Sequence, residues 1–83
     1  MRVGCLFFAR AREQVGIERF EFTELPEGTS LRDFRDKHLL VRFPQLASFP
    51  FFLALDQQYV EDEQLSILSD RSEIAVIPPV SGG

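Results

Sequence analysis

The chain has 83 residues, one Cys, a formal net charge of −4 and a composition that is 45% hydrophobic with nine Phe. That is one domain's worth of chain, expected to span 1–83, with a Phe-rich core that needs no disulfide or metal. The acidic balance excludes the basic face of a nucleic-acid binder and a polybasic membrane anchor. Its longest apolar runs, 3–9 and 49–55, are far shorter than the roughly 20 residues of a membrane span, and the single Cys with no secretory leader pattern points to the cytoplasm.

Residues 1–9 read as a strand in which Val3, Cys5 and Phe7 alternate with Gly4, Leu6 and Phe8. Both registers are apolar at their centre. Such a strand is either covered on both faces or keeps one face for a partner. Residues 10–16 are polar and close on Gly16, which predicts the turn of a hairpin. From Glu18 to Thr23 acids alternate with Phe20 and Phe22, the pattern of a half-buried antiparallel strand. Leu25-Pro26-Glu27-Gly28 breaks that strand. Ser30 then offers a helix N-cap with Asp33 three residues on, and Leu31, Phe34, His38 and Leu39 recur at helical spacing. Pro44 ends the helix near 41–43.

The next strand runs over 51–55, Asp56-Gln57-Gln58 turns the chain, and Tyr59-Val60-Glu61 pairs back. Over 62–69 an irregular stretch is expected to plug the sheet edge with Leu65, Ile67 and Leu68, and Glu61-Asp62-Glu63 reads as a solvated loop. Glu73 to Ile77 is the last strand, ended by Pro78-Pro79, neither of which has an N–H for a ladder. The order β-β-α-β-β-β is an α+β, two-layer design: a mixed sheet of about five strands with one main helix on one face. This arrangement looks like the β-grasp of ubiquitin, in which the first and last strands lie side by side at the centre and the C-terminus leaves the body freely.

The last seven residues are Ile77-Pro78-Pro79-Val80-Ser81-Gly82-Gly83, and a flexible arm is expected over 78–83. Two closing glycines arise by chance in only about 0.5% of chains of average composition. Without Cβ atoms they can thread a narrow channel, and nothing hinders attack at the terminal carbonyl carbon. Pro78-Pro79 holds the preceding segment extended, which lowers the entropic cost of docking. Such an arm suits activation of its carboxylate inside another protein's active site.

Leu6-Phe7-Phe8-Ala9, Gln57-Gln58-Tyr59-Val60, Ile74-Ala75-Val76-Ile77 and above all Pro78-Pro79-Val80-Ser81-Gly82-Gly83 resemble the small subunit of molybdopterin synthase, the MoaD-type sulfur carriers, along the whole chain. The resemblance implies that a ubiquitin-activating-type enzyme adenylates Gly83, consuming ATP, and that a persulfide donor supplies sulfur for a thiocarboxylate. It further implies delivery of that sulfur to cyclic pyranopterin monophosphate within the large synthase subunit, in a heterotetramer. The chain itself is then a non-catalytic subunit that binds no cofactor stably. Gly82-Gly83 alone is shared with ubiquitin-like protein modifiers and thiamine-pathway carriers, which stand as the alternative readings.

If the helix covers the Phe7 and Val76 side of the sheet, Leu6, Phe8, Tyr59, Ala75 and Ile77 form an apolar patch beside the arm. That patch reads as a docking surface, continued by Pro78, Pro79, Val80, Ser81 and Gly82; the competing reading has the segment 43–52 covering it as a second core layer. Arg10 and Arg12 fit a solvated turn as well as an acidic partner, and Arg12 is carried as a docking residue of little weight. Cys5, inside an apolar register, reads as a buried hydrophobe. His38 has no second ligand spaced to share a metal, so no metal site is expected.

Overall fold

The computed structural model describes residues 1–79; Val80, Ser81, Gly82 and Gly83 lie outside the described residues. Five strands form one mixed sheet in the order β2-β1-β5-β3-β4: β1 (Val3–Phe7), β2 (Arg19–Phe22), β3 (Phe52–Leu55), β4 (Gln58–Tyr59) and β5 (Glu73–Ile77). The chain's first and last strands pair in parallel at the centre, and every other pairing is antiparallel. The α+β arrangement expected from the sequence is therefore present, with the root of the arm leaving a central strand.

One face of the sheet carries the core. Val3, Cys5 and Phe7 of β1, Leu53 of β3, and Ile74 and Val76 of β5 are buried against Leu31, Phe34, Leu39, Phe43 and Leu46. Phe rings meet edge-on throughout this layer, with centroids 4.9 Å apart for Phe22 and Phe34, 5.2 Å for Phe7 and Phe43, and 5.2 Å for Phe20 and Phe43. Edge-to-face contact suits the ring quadrupole and adds to the apolar burial.

The main helix runs over 31–42 and is wound differently in its middle. Leu31–Asp33 and Leu40–Arg42 are α-helical, while Phe34–Leu39 is π-helical, with the Leu40 N–H donating to the Arg35 carbonyl five residues back. Core residues in this helix stand at 31, 34 and 39, with Phe43 buried directly after it. The five-residue step from Phe34 to Leu39 is longer than an α turn, and the wider π turn brings both side chains to the sheet. His38 falls to the rim, half-buried and stacked on Phe34.

Three backbone donors at the helix start find acceptors outside the helix ladder. Ser30 Oγ accepts from the Asp33 N–H at 3.0 Å, and the Ser30 carbonyl accepts from the Phe34 N–H. The Leu31 and Arg32 N–H groups donate to the carbonyls of Ser66 and Glu63, at 2.7 and 3.0 Å. The donors at 31, 32 and 33 are among those that a helix leaves without internal partners, the Phe34–Ser30 bond is the first within the helix, and the 62–69 segment supplies two of the outside acceptors.

That role corrects two expectations. Leu65 and Ile67 do not plug the sheet edge: they are 79% and 55% exposed, and only Leu68 is buried. Glu63 is no solvated loop residue, for its carboxylate takes both N–H groups of the Arg35 fork at 2.8 and 2.6 Å. Backbone acceptors hold this segment, so its side chains are free to face outward.

A third correction concerns 10–16. This stretch is no hairpin turn but a helix, α1 (Ala9–Val15), closed by Gly16 at φ 81° with its N–H on the Arg12 carbonyl. Ala, Arg, Glu and Gln are strong helix formers, and glycine in the left-handed region is the common helix stop. Only Ala11 is buried, so the hydrophobic pattern was too thin to reveal it.

Candidate docking face and carrier arm

Side chains alternate across a strand, so the registers decide what the second sheet face presents. Leu6 lies beside Arg19 on one side and Ala75 on the other; Ala54 pairs with both Ala75 and Tyr59; Phe52 stands opposite Ile77. Among the described residues no helix covers this face. Leu6, Phe8, Tyr59, Ala75 and Ile77 line one concavity of about 330 Å³ together with Ala54, and Phe8 and Tyr59 are 46% and 73% exposed. The 43–52 segment does not roof it, because Phe43, Leu46, Phe49 and Phe51 are buried with the helix-side core.

Phe52, 57% exposed on the same face, is a further apolar residue that the sequence reading left out. The signal was present: in Phe51-Phe52-Leu53-Ala54, if Leu53 is core, strand alternation sends Phe52 outward. Arg12 does not join the group. It lies on the exposed side of α1 with its guanidinium 3.3 Å from Glu18.

The far end of the face is polar. Arg19 bridges Glu73 at 2.8 Å and Glu21 at 2.7 Å, and both contacts, that with Glu73 foremost, hold the guanidinium more firmly protonated. A Cβ at Gly4 would overlap the Arg19 guanidinium and the Glu73 carboxylate, so glycine in β1 is what lets this bridge cross the central strand. Being well exposed, the pair adds little stability; its effect is to mark where the apolar surface stops.

Ile77 ends β5 at the opposite edge of the concavity, and Pro78 and Pro79 follow directly. The expectations for Val80, Ser81, Gly82 and Gly83 fall on residues outside those described. No group of three or more His, Cys, Asp or Glu gathers at metal-binding distance among the described residues, and none of their helices is long and apolar enough to cross a membrane.

Cys5 is fully buried in β1. Burial, the largest cause, pushes its thiol up from an ordinary 9.0 to about 12, so it is inert as a nucleophile near neutral pH. The folded state thus keeps a proton that the unfolded chain releases above about pH 9. Stability from this group is complete below pH 9 and falls as pH rises from there toward 12, by up to about 1.4 kcal/mol per unit. Urea midpoints at pH 8 and pH 10 are expected to separate in the wild type, and the separation should shrink in Cys5→Ala.

The geometry of a closed core face, an open apolar face and an arm rooted between them agrees with three comparisons. A ThiS family profile matches residues 5–83. The molybdopterin synthase sulfur carrier subunit of Chlamydomonas reinhardtii is 35% identical over 85 residues, covering all of both chains. The chain belongs to the ThiS family, among the molybdopterin synthase sulfur carrier subunits. Of solved structures, a putative molybdopterin converting factor subunit 1 from Pyrococcus furiosus superposes with a TM-score of 0.82 at 28% identity, covering 96% of this chain and 99% of that one. The complex of subunits 1 and 2 of the molybdopterin-converting factor from Helicobacter pylori matches with a TM-score of 0.70 at 25% identity and full coverage of both chains. The family inferred from the Pro-Pro-Val-Ser-Gly-Gly ending is therefore the right one, and the fold is the ubiquitin-like β-grasp.

Proposed function

We propose that this chain carries sulfur as a thiocarboxylate on Gly83 and delivers it to cyclic pyranopterin monophosphate inside the large subunit of molybdopterin synthase. The observation that carries the reading is the continuity of the open apolar face with the arm: Ile77 lines the concavity and Pro78 begins the arm. Docking the face against a partner therefore aims the arm at that partner's interior. The Helicobacter pylori relative, solved as a complex of subunits 1 and 2, supports a large-subunit partner, and a heterotetramer fits that pairing.

Two steps load the arm. ATP, consumed by a ubiquitin-activating-type enzyme, converts the Gly83 carboxylate to an acyl adenylate with release of pyrophosphate. A donor persulfide then displaces AMP, and a thiol reductant cleaves the acyl disulfide to leave the thiocarboxylate. In the large subunit the thiocarboxylate sulfur attacks a side-chain carbon of the pterin and displaces an oxygen substituent from it, and water then hydrolyses the acyl–sulfur bond to restore the carboxylate and leave the sulfur on the pterin. The chain contributes the reacting atom and its placement, binds no cofactor stably, and works in the cytoplasm with its ATP-dependent partner.

Intact mass after co-expression with the activating enzyme should show one oxygen replaced by sulfur, mapped to Gly83. Carboxylate alone, under conditions that load a control carrier, would overturn the proposal. Isopeptide remnants on cellular proteins would favour a protein modifier, and co-purification with a thiazole synthase would favour the thiamine pathway.

Phe8→Ala tests the face itself. Phe8 is half exposed and outside the core, so its truncation should weaken large-subunit binding about tenfold or more with little change in the melting temperature. Titration calorimetry beside a thermal melt checks both; a lowered melting temperature with unchanged affinity would make Phe8 a structural residue.

A further inference from the structure

A second groove opens at the root of the arm and shares Ile77 with the docking concavity. It encloses about 680 Å³ and is lined by Arg10, Phe49, Pro50, Ile77, Pro78 and Pro79. Its walls are rings and aliphatic carbons, and its one charge is Arg10. The Arg10 guanidinium lies over the Phe49 ring, 4.8 Å from the centroid, an arrangement that fixes a cation by its face. In contrast with Arg12, Arg19, Arg32 and Arg35, Arg10 has no carboxylate within ion-pair distance among the described residues. Arg42, stacked over Phe20 and Phe43, likewise has no carboxylate partner among the described residues; what distinguishes Arg10 is its place in an apolar groove at the root of the arm.

We infer that this groove is a second docking pocket for the large synthase subunit, taking a segment of that partner with an apolar side chain and an adjacent carboxylate that pairs with Arg10. The inference rests on the sulfur-carrier reading above. Two observations select this occupant. Ile77 lines both the docking concavity and this groove, so a partner seated on the first surface continues onto the second without a break. The groove's chemistry, apolar walls with one stacked cation, is complementary to an apolar residue beside an acid. Because Pro78 and Pro79 form part of its wall, its occupant grips the arm at its base and sets the direction in which Gly83 is presented.

The test measures affinity for the purified large subunit at about 50 mM and about 300 mM salt, using the full chain as wild type, Arg10→Lys, Arg10→Glu and Phe8→Ala. The inference expects Arg10→Glu to weaken binding about tenfold at low salt, with the deficit narrowing at high salt as screening shortens the reach of the charge. Arg10→Lys should retain most of the affinity. Thermal melts monitor folding, and all Arg10 variants should melt with the wild type because the side chain is exposed. Wild type and Phe8→Ala report on the underlying reading: if wild type fails to bind at all, that reading fails. If wild type binds, Phe8→Ala weakens it, and Arg10→Glu matches wild type at both salt concentrations, only the inference is overturned. Normal large-subunit binding by Arg10→Glu with slowed adenylation would also overturn it, assigning the groove to the activating enzyme instead.

Discussion

Deleting Gly83, or adding a single residue after it, is expected to abolish sulfur transfer and leave the fold unchanged. The reacting group in the proposed cycle is the terminal carboxylate itself, so no neighbouring side chain can replace it. One residue more or less displaces that group by about 3.5 Å, and misplacing a reacting atom by about 1 Å can already cost about a hundredfold in rate. The core runs from Val3 to Val76, well short of the alteration, so the melting temperature should match that of the wild type. Dithiolene formation with the large subunit reads the first effect and a thermal melt the second. Transfer that survives a one-residue extension would show that Gly83 is not the sulfur-bearing atom's address.

Phe34→Ala should have the largest effect on stability. Phe34 is completely buried, packs edge-on against Phe22, and starts the π-helical turn on which the main helix changes phase. Truncating a buried Phe costs about 3–5 kcal/mol in lost transfer energy and residual cavity. A domain of this length has about 4–12 kcal/mol in total, so much of the native population is at risk. A fall in melting temperature of more than about 12 °C is expected. If the chain is still folded at low temperature, affinity for the large subunit should be retained, because Phe34 lies on the face of the sheet away from the docking concavity.

Several features were legible without coordinates because they depend on local rules. Alternation gave β1, β2 and β5 to within a residue or two, the Pro78-Pro79 pair marked the end of the last strand, and Ser30 marked the start of the main helix. The apolar patch was also foreseeable: both registers of β1 are apolar, and a one-helix, one-sheet design can cover only one of them. What failed did so for physical reasons. Helix α1 buries a single alanine, so no apolar stripe announced it. Leu65 and Ile67 look like core by composition, yet their segment is anchored through carbonyls that cap the helix, an interaction to which side-chain identity is blind.

The arm shows the same division. Its chemistry follows from the order of residues alone: Gly82-Gly83 leaves an unhindered carboxylate, and Pro78-Pro79 stiffens the approach, both being covalent properties of the chain. Its surroundings do not. That the arm leaves a central strand, between an apolar concavity and a groove holding Arg10, depends on the parallel pairing of β1 with β5 and on the packing of α1 beside them. Pairing between residues about 70 positions apart brings Leu6 next to Ala75, and Arg10 and Pro79 come to line the same groove. Such long-range juxtapositions carry no local signature, because only the closing of the whole core decides which strand edges and helix ends become neighbours.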